Sequence, residues 1–162
     1  MGTRTIVVGL GNPLLGDDGV GWHVAEAVEK KINRPDVEVD SLALGGIGLM
    51  ERLVDYDRAI IIDVINTGQF PRGSVNSFPL EALANPFYGH LGSAHETNLQ
   101  TALEMGRLLG ASLPGEVTVV AIESPYVYDF SDTLTGPVAS AVPIAVDLVL
   151  NLLESSLVEE EV

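Results

Sequence analysis

Two adjacent carboxylates, Asp17 and Asp18, follow a glycine-rich turn near the start of the chain. The turn begins with Gly9 and Gly11 after an apolar segment, and a helical pattern starts directly after the two acids. The dinucleotide fingerprint G-x-G-x-x-G would need a third glycine where Leu14 stands. Carboxylates at the amino end of a helix repel phosphate and attract cations. The pattern therefore predicts a metal site or an acid–base site rather than a pyrophosphate cradle.

Three more residues are candidates for the same chemistry. Asp63 stands near the end of the apolar run 59–64, His95 is predicted to open a helix, and Glu123 is predicted to follow the last strand. Asp18, Asp63 and His95 together offer two carboxylates and an imidazole, a set that suits nickel or zinc and leaves coordination positions open. Each also has a structural interpretation, as a helix cap, a turn residue or a first-turn helix residue.

The elements that must position these residues alternate between strand and helix. Apolar or alternating runs predict five strands, at 5–9, 37–42, 59–64, 74–78 and 117–121. Helical spacing predicts helices at 20–32, 49–54 and 95–109, and a last one opened by Pro137 or starting after Pro143. This order predicts a doubly wound α/β sandwich with a mostly parallel sheet, in which strand 74–78 is an antiparallel edge.

Parallel strands bring their carboxyl ends to one rim of the sheet, where open α/β sheets bind ligands. The glycine turn with Asp17 and Asp18, the flexible turn containing Gly45 and Gly46, and Asp63 all follow such ends. We therefore expect them to meet, and His95 to join them if the loop after the edge strand returns to this rim.

The composition of the chain argues against some classes of partner. The chain has 162 residues and a net charge of −15, with 23 acidic and 8 basic residues, which argues against nucleic acid or an anionic membrane as a partner. Length predicts a single domain over residues 1–157 with an acidic tail at 158–162. Cysteine is absent, and no apolar run of membrane-spanning length or signal segment is evident, so we expect a cytoplasmic protein.

With these residues in place, the chain resembles the hydrogenase maturation protease family over nearly its whole length. The motif at residues 9–21 carries the resemblance, supported by the strand ending in Asp63, by Ser93, Ala94 and His95 before a helix, and by Glu123, Ser124 and Pro125. In this family the loop after the second strand often carries a Gly-Thr pair. Here residues 45–48 are Gly-Gly-Ile-Gly, so the substrate contacts of this loop differ.

The resemblance implies a five-stranded α/β/α sandwich and a metal site at Asp18, Asp63 and His95. It implies cleavage of the carboxy-terminal extension of a nickel–iron hydrogenase large-subunit precursor. The metal would be nickel already carried by that precursor, and zinc or cadmium is expected to substitute for it in vitro. Gly45, Gly46 and Glu123 would lie on loops that face the substrate.

Three mechanisms stay open at this point. The metal can polarise the scissile carbonyl and activate water, an acid among Asp17, Asp18 and Asp63 can activate water, or the metal can serve only to dock the precursor. Two other functions also stay open: a non-enzymatic module that binds a small ligand or nucleotide, and a metal chaperone or sensor.

Overall fold

The fold is built on one five-stranded sheet. The computed structural model describes residues 2–83, 98–125 and 129–160, with side chains as far as residue 155. The strands are β1 (Thr5–Leu10), β2 (Val37–Leu42), β3 (Arg58–Ile65), β4 (Val75–Pro79) and β5 (Glu116–Glu123). Their order in the sheet is β2-β1-β3-β5-β4, and all pairs are parallel except the antiparallel β4–β5 pair. The predicted parallel sheet with one antiparallel edge strand is confirmed.

Helices cover both faces of the sheet. They are α1 (Val20–Lys31), α2 (Gly46–Arg52), α3 (Leu99–Leu108) and α4 (Gly136–Glu160), and a 3-10 turn, Gly16–Gly19, precedes α1. Side chains alternate between faces along a strand. Ile61 of β3 therefore lies in the core beneath α2 and α3, whereas Ile60 lies in the core beneath α1 and α4. Every residue of β3 is buried, as expected for a central strand.

Some predicted boundaries differ from the observed ones. The turn predicted around Gly46 is already the start of α2, where Gly46 has a φ of +53° that favours glycine. Glu123, predicted to follow a strand at 117–121, is the final residue of β5. Helix α4 begins with Pro137 in its first turn, passes through Pro143 and continues to Glu160, so it includes part of the stretch predicted as a tail.

Helix α4 is long and apolar enough between Gly136 and Ser155 to cross a bilayer, which the sequence analysis did not anticipate. Its apolar residues have another explanation in the fold. Val138, Ala145 and Val149 are fully buried, and the helix packs against α1 and β5. Pro143 lies on the exposed side, where the missing backbone N–H is least costly. Burial of one face of α4 in the core accounts for its composition.

The start of α1 lies directly against the ends of two strands, and glycine makes this possible. A Cβ on Gly21 would lie 2.5 Å from the Leu10 carbonyl oxygen and 2.6 Å from that of Ile62. A Cβ on Gly9 would lie 2.2 Å from the Gly21 carbonyl oxygen. All three obstacles are backbone atoms, which cannot rotate away. The glycines at these positions are therefore required by packing rather than by flexibility.

Gly21→Ala tests this contact because two effects oppose each other. Alanine favours a helix by up to ~1 kcal/mol relative to glycine, but forcing a methyl group into a packed backbone costs about 1–3 kcal/mol or more. We expect a net loss of about 2 kcal/mol in the free energy of unfolding, measured by urea denaturation. Gly115→Ala is the matched control, since a Cβ there meets nothing within 4 Å. Equal stability of the two variants would contradict the packing argument.

A polar cluster fixes α2 against β2. Arg52, the last residue of α2, donates to Asp40 at 2.8 Å and to Glu38 at 2.7 Å, and the Tyr56 hydroxyl also donates to Glu38. These hydrogen bonds, first from Tyr56 and then from Arg52, hold the pKa of Glu38 below its ordinary value. The cluster therefore sets the position of the helix that starts at Gly46.

The lowered pKa of Glu38 predicts acid sensitivity of the fold. Because its folded pKa is below the ordinary value of 4.5, its contribution to stability is present above that pH and is lost as the pH falls through the folded pKa. We expect Glu38→Gln to flatten the decline of the unfolding free energy below about pH 4.5. The exposed Glu154→Gln on α4 serves as the control and should leave the pH profile of the wild type unchanged.

Candidate active site

The glycine turn presents Asp18 at the end of β1. Gly11 has a φ of +138°, and a Cβ there would lie 1.9 Å from the Asp18 carbonyl oxygen. The backbone N–H of Asn12 donates to Asp18 Oδ2 at 2.9 Å, so the turn itself orients the carboxylate. The helix-cap interpretation is wrong for both acids, because α1 has Gly19 as its N-cap and no side-chain cap hydrogen bond. Asp18 is instead half-buried in a turn shaped by close backbone contacts.

Asp63 lies fully buried on the neighbouring central strand. It pairs with Ala121 of β5, and the residue before it, Ile62, pairs with Gly9 of β1. The 3-10 turn that contains Asp18 contacts β3. Asp18, in the turn after β1, and Asp63, two residues before the end of β3, are therefore both near the carboxyl rim of the sheet, although Asp63 lies within its strand rather than after it. Buried carboxylates are uncommon in protein cores and occur where they are paired or hydrogen-bonded.

Asp17 is directed to a different partner set. Its Oδ1 accepts a hydrogen bond from the Thr135 backbone N–H at 2.8 Å, and its Oδ2 accepts from the hydroxyls of Thr135 at 2.9 Å and Ser124 at 2.8 Å. Thr135 and Ser124 come from the connection between β5 and α4. Asp17 is predicted to be catalytic. In the structure its carboxylate accepts three hydrogen bonds, and these join the glycine turn to the connection between β5 and α4.

Glu123 anchors the connection between β3 and β4. Its Oε1 accepts from the Thr67 backbone N–H at 2.9 Å, the Thr67 hydroxyl at 2.8 Å and the Gly68 N–H at 2.8 Å. The side chain is 3% exposed, and its Oε2 is buried with no hydrogen-bond donor among the described residues. Glu123 is at the predicted rim, with one oxygen fixing a loop and the other unsatisfied.

Gly45 and Gly46 also lie at this rim, after β2. Gly45 is the N-cap of α2 and Gly46 its buried first residue. The preceding strand is joined to the glycine turn because the Leu42 carbonyl accepts from the Gly11 N–H at 3.1 Å and from Trp22 Nε1 at 3.1 Å. The turn after β1 and the loop after β2 are therefore held side by side.

His95 lies outside the described residues, so its predicted place in the ligand set stays a prediction. Helix α3 begins at Leu99, with Asn98 as its N-cap accepting from the Thr101 N–H at 2.8 Å. No group of three metal-ligating side chains occurs within residues 2–83, 98–125 and 129–155. Asp18 and Asp63 would suit a borderline divalent ion only if a further residue joined them as a ligand.

No role is predicted from the sequence for Ser124 or Thr135, whose hydroxyls both donate to Asp17. Thr135 stands in an irregular stretch, and nothing local distinguishes it from other loop threonines. Ser124 is marked only as part of the run Glu123, Ser124 and Pro125 that supports the family resemblance. Their partner, Asp17, is more than a hundred residues away in the chain.

The fold and site define an α/β sandwich protein with an acidic site at the carboxyl rim of a parallel sheet. Comparison with known proteins identifies the family. The family model of the hydrogenase maturation proteases, HycI, matches residues 22–152. The chain belongs to the hydrogenase maturation protease family.

Individual relatives agree with this assignment. The chain is 29% identical over 157 residues to the hydrogenase 2 maturation protease of Escherichia coli K12, covering 96% of this chain and 94% of that protein. It is 31% identical over 150 residues to a putative hydrogenase maturation protease of Methanocaldococcus jannaschii, covering 90% and 93%. The structure of the hydrogenase maturating endopeptidase HybD from E. coli matches with a TM-score of 0.73 at 26% identity, covering 94% and 93%. The predicted family and the activity class of hydrogenase maturation endopeptidase are confirmed.

A double-mutant cycle tests the bond between Asp17 and Ser124. Asp17→Ala removes three hydrogen bonds, and Ser124→Ala removes one of the same three, so the two losses should not add. We expect a coupling of about 1 kcal/mol in the free energy of unfolding. Asp17→Ala combined with Ser155→Ala, at an exposed serine on α4, is the control and should be additive. Additive losses for Asp17 and Ser124 would show that the bond does not stabilise the turn.

Proposed function

We propose that this protein removes the carboxy-terminal extension of a nickel–iron hydrogenase large-subunit precursor after nickel insertion, in the cytoplasm. Membership of the maturation protease family supports the reaction class. The observation that carries the proposal is the fully buried Asp63 on the strand beside the glycine turn that orients Asp18. Two acids held at adjacent strand ends form a site that binds a cation and moves a proton.

In this proposal nickel is part of the substrate. Asp18 and Asp63, with His95, would bind the nickel that the precursor carries, because oxygen and nitrogen donors suit such an ion. A site of this kind would distinguish a nickel-loaded precursor from an empty one. Zinc or cadmium would occupy the same ligands in vitro.

The carboxylates also suit the proton transfers of peptide hydrolysis. Water attacks the scissile carbonyl carbon, one of the acids Asp18 and Asp63 accepts the proton from that water, and the leaving amine receives it when the C–N bond breaks. We assign Asp17 to positioning, because its oxygens accept from Thr135 and Ser124. We assign Gly45, Gly46 and Glu123 to the loops that border the bound substrate.

The central test mixes the protein with its nickel-loaded cognate precursor and records intact masses. We expect the precursor to lose a short carboxy-terminal peptide. Asp63→Asn and His95→Ala should abolish this loss, because each removes a proposed nickel ligand. Asp147→Asn, which changes an exposed carboxylate on α4, is the matched control and should process normally.

Three outcomes would contradict the proposal in different ways. An unchanged mass of the authentic cognate precursor would contradict the proposed endopeptidase function. Stoichiometric metal transfer without shortening of the precursor would indicate a metal chaperone. Equal processing of nickel-loaded, zinc-loaded and metal-free precursor would contradict only the proposed selection for nickel.

A further inference from the structure

Two large apolar side chains stand exposed on connections that leave the carboxyl rim of the sheet. Leu14, in the turn after β1, is 60% exposed, and Phe130, in the connection after β5, is 87% exposed. Neither position is required by the core. Exposed aromatic and aliphatic residues next to a functional site are typical of surfaces that bind another molecule.

The backbone places these two residues side by side. Leu15 and Ser131 form a parallel bridge, in which Ser131 N–H donates to the Leu14 carbonyl at 2.9 Å and Gly16 N–H donates to the Ser131 carbonyl at 2.7 Å. Leu14 and Phe130 each come one residue before the bridged pair. Their backbones are therefore about 5 Å apart, the spacing of paired strands. We call them the Leu14–Phe130 patch.

The scaffold of the patch is held in place by hydrogen bonds. On the carboxyl side of the bridge, Asp17 accepts from the Thr135 N–H at 2.8 Å, and the Ser131 hydroxyl accepts from the Thr133 N–H at 3.1 Å. A surface whose backbone is already ordered loses little conformational freedom when it binds a partner. The exposure of Phe130 is thus a feature of a well-bonded connection.

The charges around Phe130 indicate which chemical groups a partner of this surface carries. Phe130 is flanked by two exposed carboxylates, Asp129 and Asp132, in a chain of net charge −15. Such a surface attracts basic groups and repels acidic ones. The complementary partner has an apolar side chain adjacent to basic side chains.

We propose that the Leu14–Phe130 patch binds a segment of the large-subunit precursor that carries an apolar side chain next to basic ones. The inference rests on the proposed function. Leu14 belongs to the same turn as Asp18, only four residues earlier, so the patch is continuous with the proposed site. A polypeptide held with its scissile bond at Asp18 and Asp63 extends over neighbouring surface, and interactions away from the reacting bond hold it in place.

Steady-state processing of the nickel-loaded precursor tests the patch. Phe130→Ser should raise KM about tenfold with kcat unchanged, the effect of removing one central apolar contact from an interface. Leu14→Ser should act in the same direction. Leu108→Ser is the matched control, because Leu108 is 88% exposed at the far end of α3, and its KM should equal that of the wild type.

A second pair of variants tests the charge. Asp129→Asn combined with Asp132→Asn should raise KM at low salt and weaken its dependence on ionic strength, since the attraction to basic residues is screened by salt. Phe130→Ser should leave the salt dependence intact. Thermal unfolding of each variant verifies that the fold is retained.

The outcomes separate this inference from the proposed function. If the wild type does not shorten its precursor, the proposed function fails and the patch fails with it. If the wild type is active and the Phe130 and Leu14 variants have its KM, only the patch is refuted. A fall in kcat at unchanged KM would also refute it, because the substitution would then act on catalysis rather than on binding.

Discussion

The site depends on how closely the start of α1 approaches the ends of β1 and β3. The contact is between backbone atoms, and it exists because Gly9 and Gly21 have no side chain at the crossing. Within the turn, a Cβ on Gly11 would overlap the Asp18 carbonyl, and a Cβ on Gly19 would overlap the Pro13 backbone. The turn that carries Asp18 can therefore lie against β3, the strand that contains Asp63, only with glycine at these positions. The glycines of the motif stand at the positions where these backbone segments touch.

A second layer of hydrogen bonds keeps the loops around the acids in one arrangement. Asp17 joins the glycine turn to the connection after β5, and Glu123 joins the end of β5 to the connection after β3. Ser124 lies between the two, with its hydroxyl on Asp17 and its backbone N–H on the Ile65 carbonyl. Three connections at one rim are thus bonded to one another. A site whose loops are already ordered loses little conformational freedom when it binds a polypeptide.

The adjacent acids Asp17 and Asp18 have different hydrogen-bond partners. Asp18 is oriented by the Asn12 N–H at the end of β1, whereas Asp17 is directed to hydroxyl and amide donors from the far end of the chain. The sequence analysis treated both as candidates for catalysis or for capping α1. Capping by either was wrong because the helix starts after a 3-10 turn, at Gly19. A one-residue difference in position therefore gives the two carboxylates entirely different hydrogen-bond partners.

The sequence by itself determined the strands, their parallel order with one antiparallel edge, and the family, because β-branched runs, alternation and the glycine motif are local patterns. It expected Asp63 to follow the end of its strand, whereas β3 continues through Asp63 to Ile65. Only the tertiary structure decided that Asp17 bonds to Ser124 and Thr135, that Glu123 holds Thr67, and that Gly46 begins a helix. These contacts join segments far apart in the chain, and no local periodicity encodes which distant donor a carboxylate will meet.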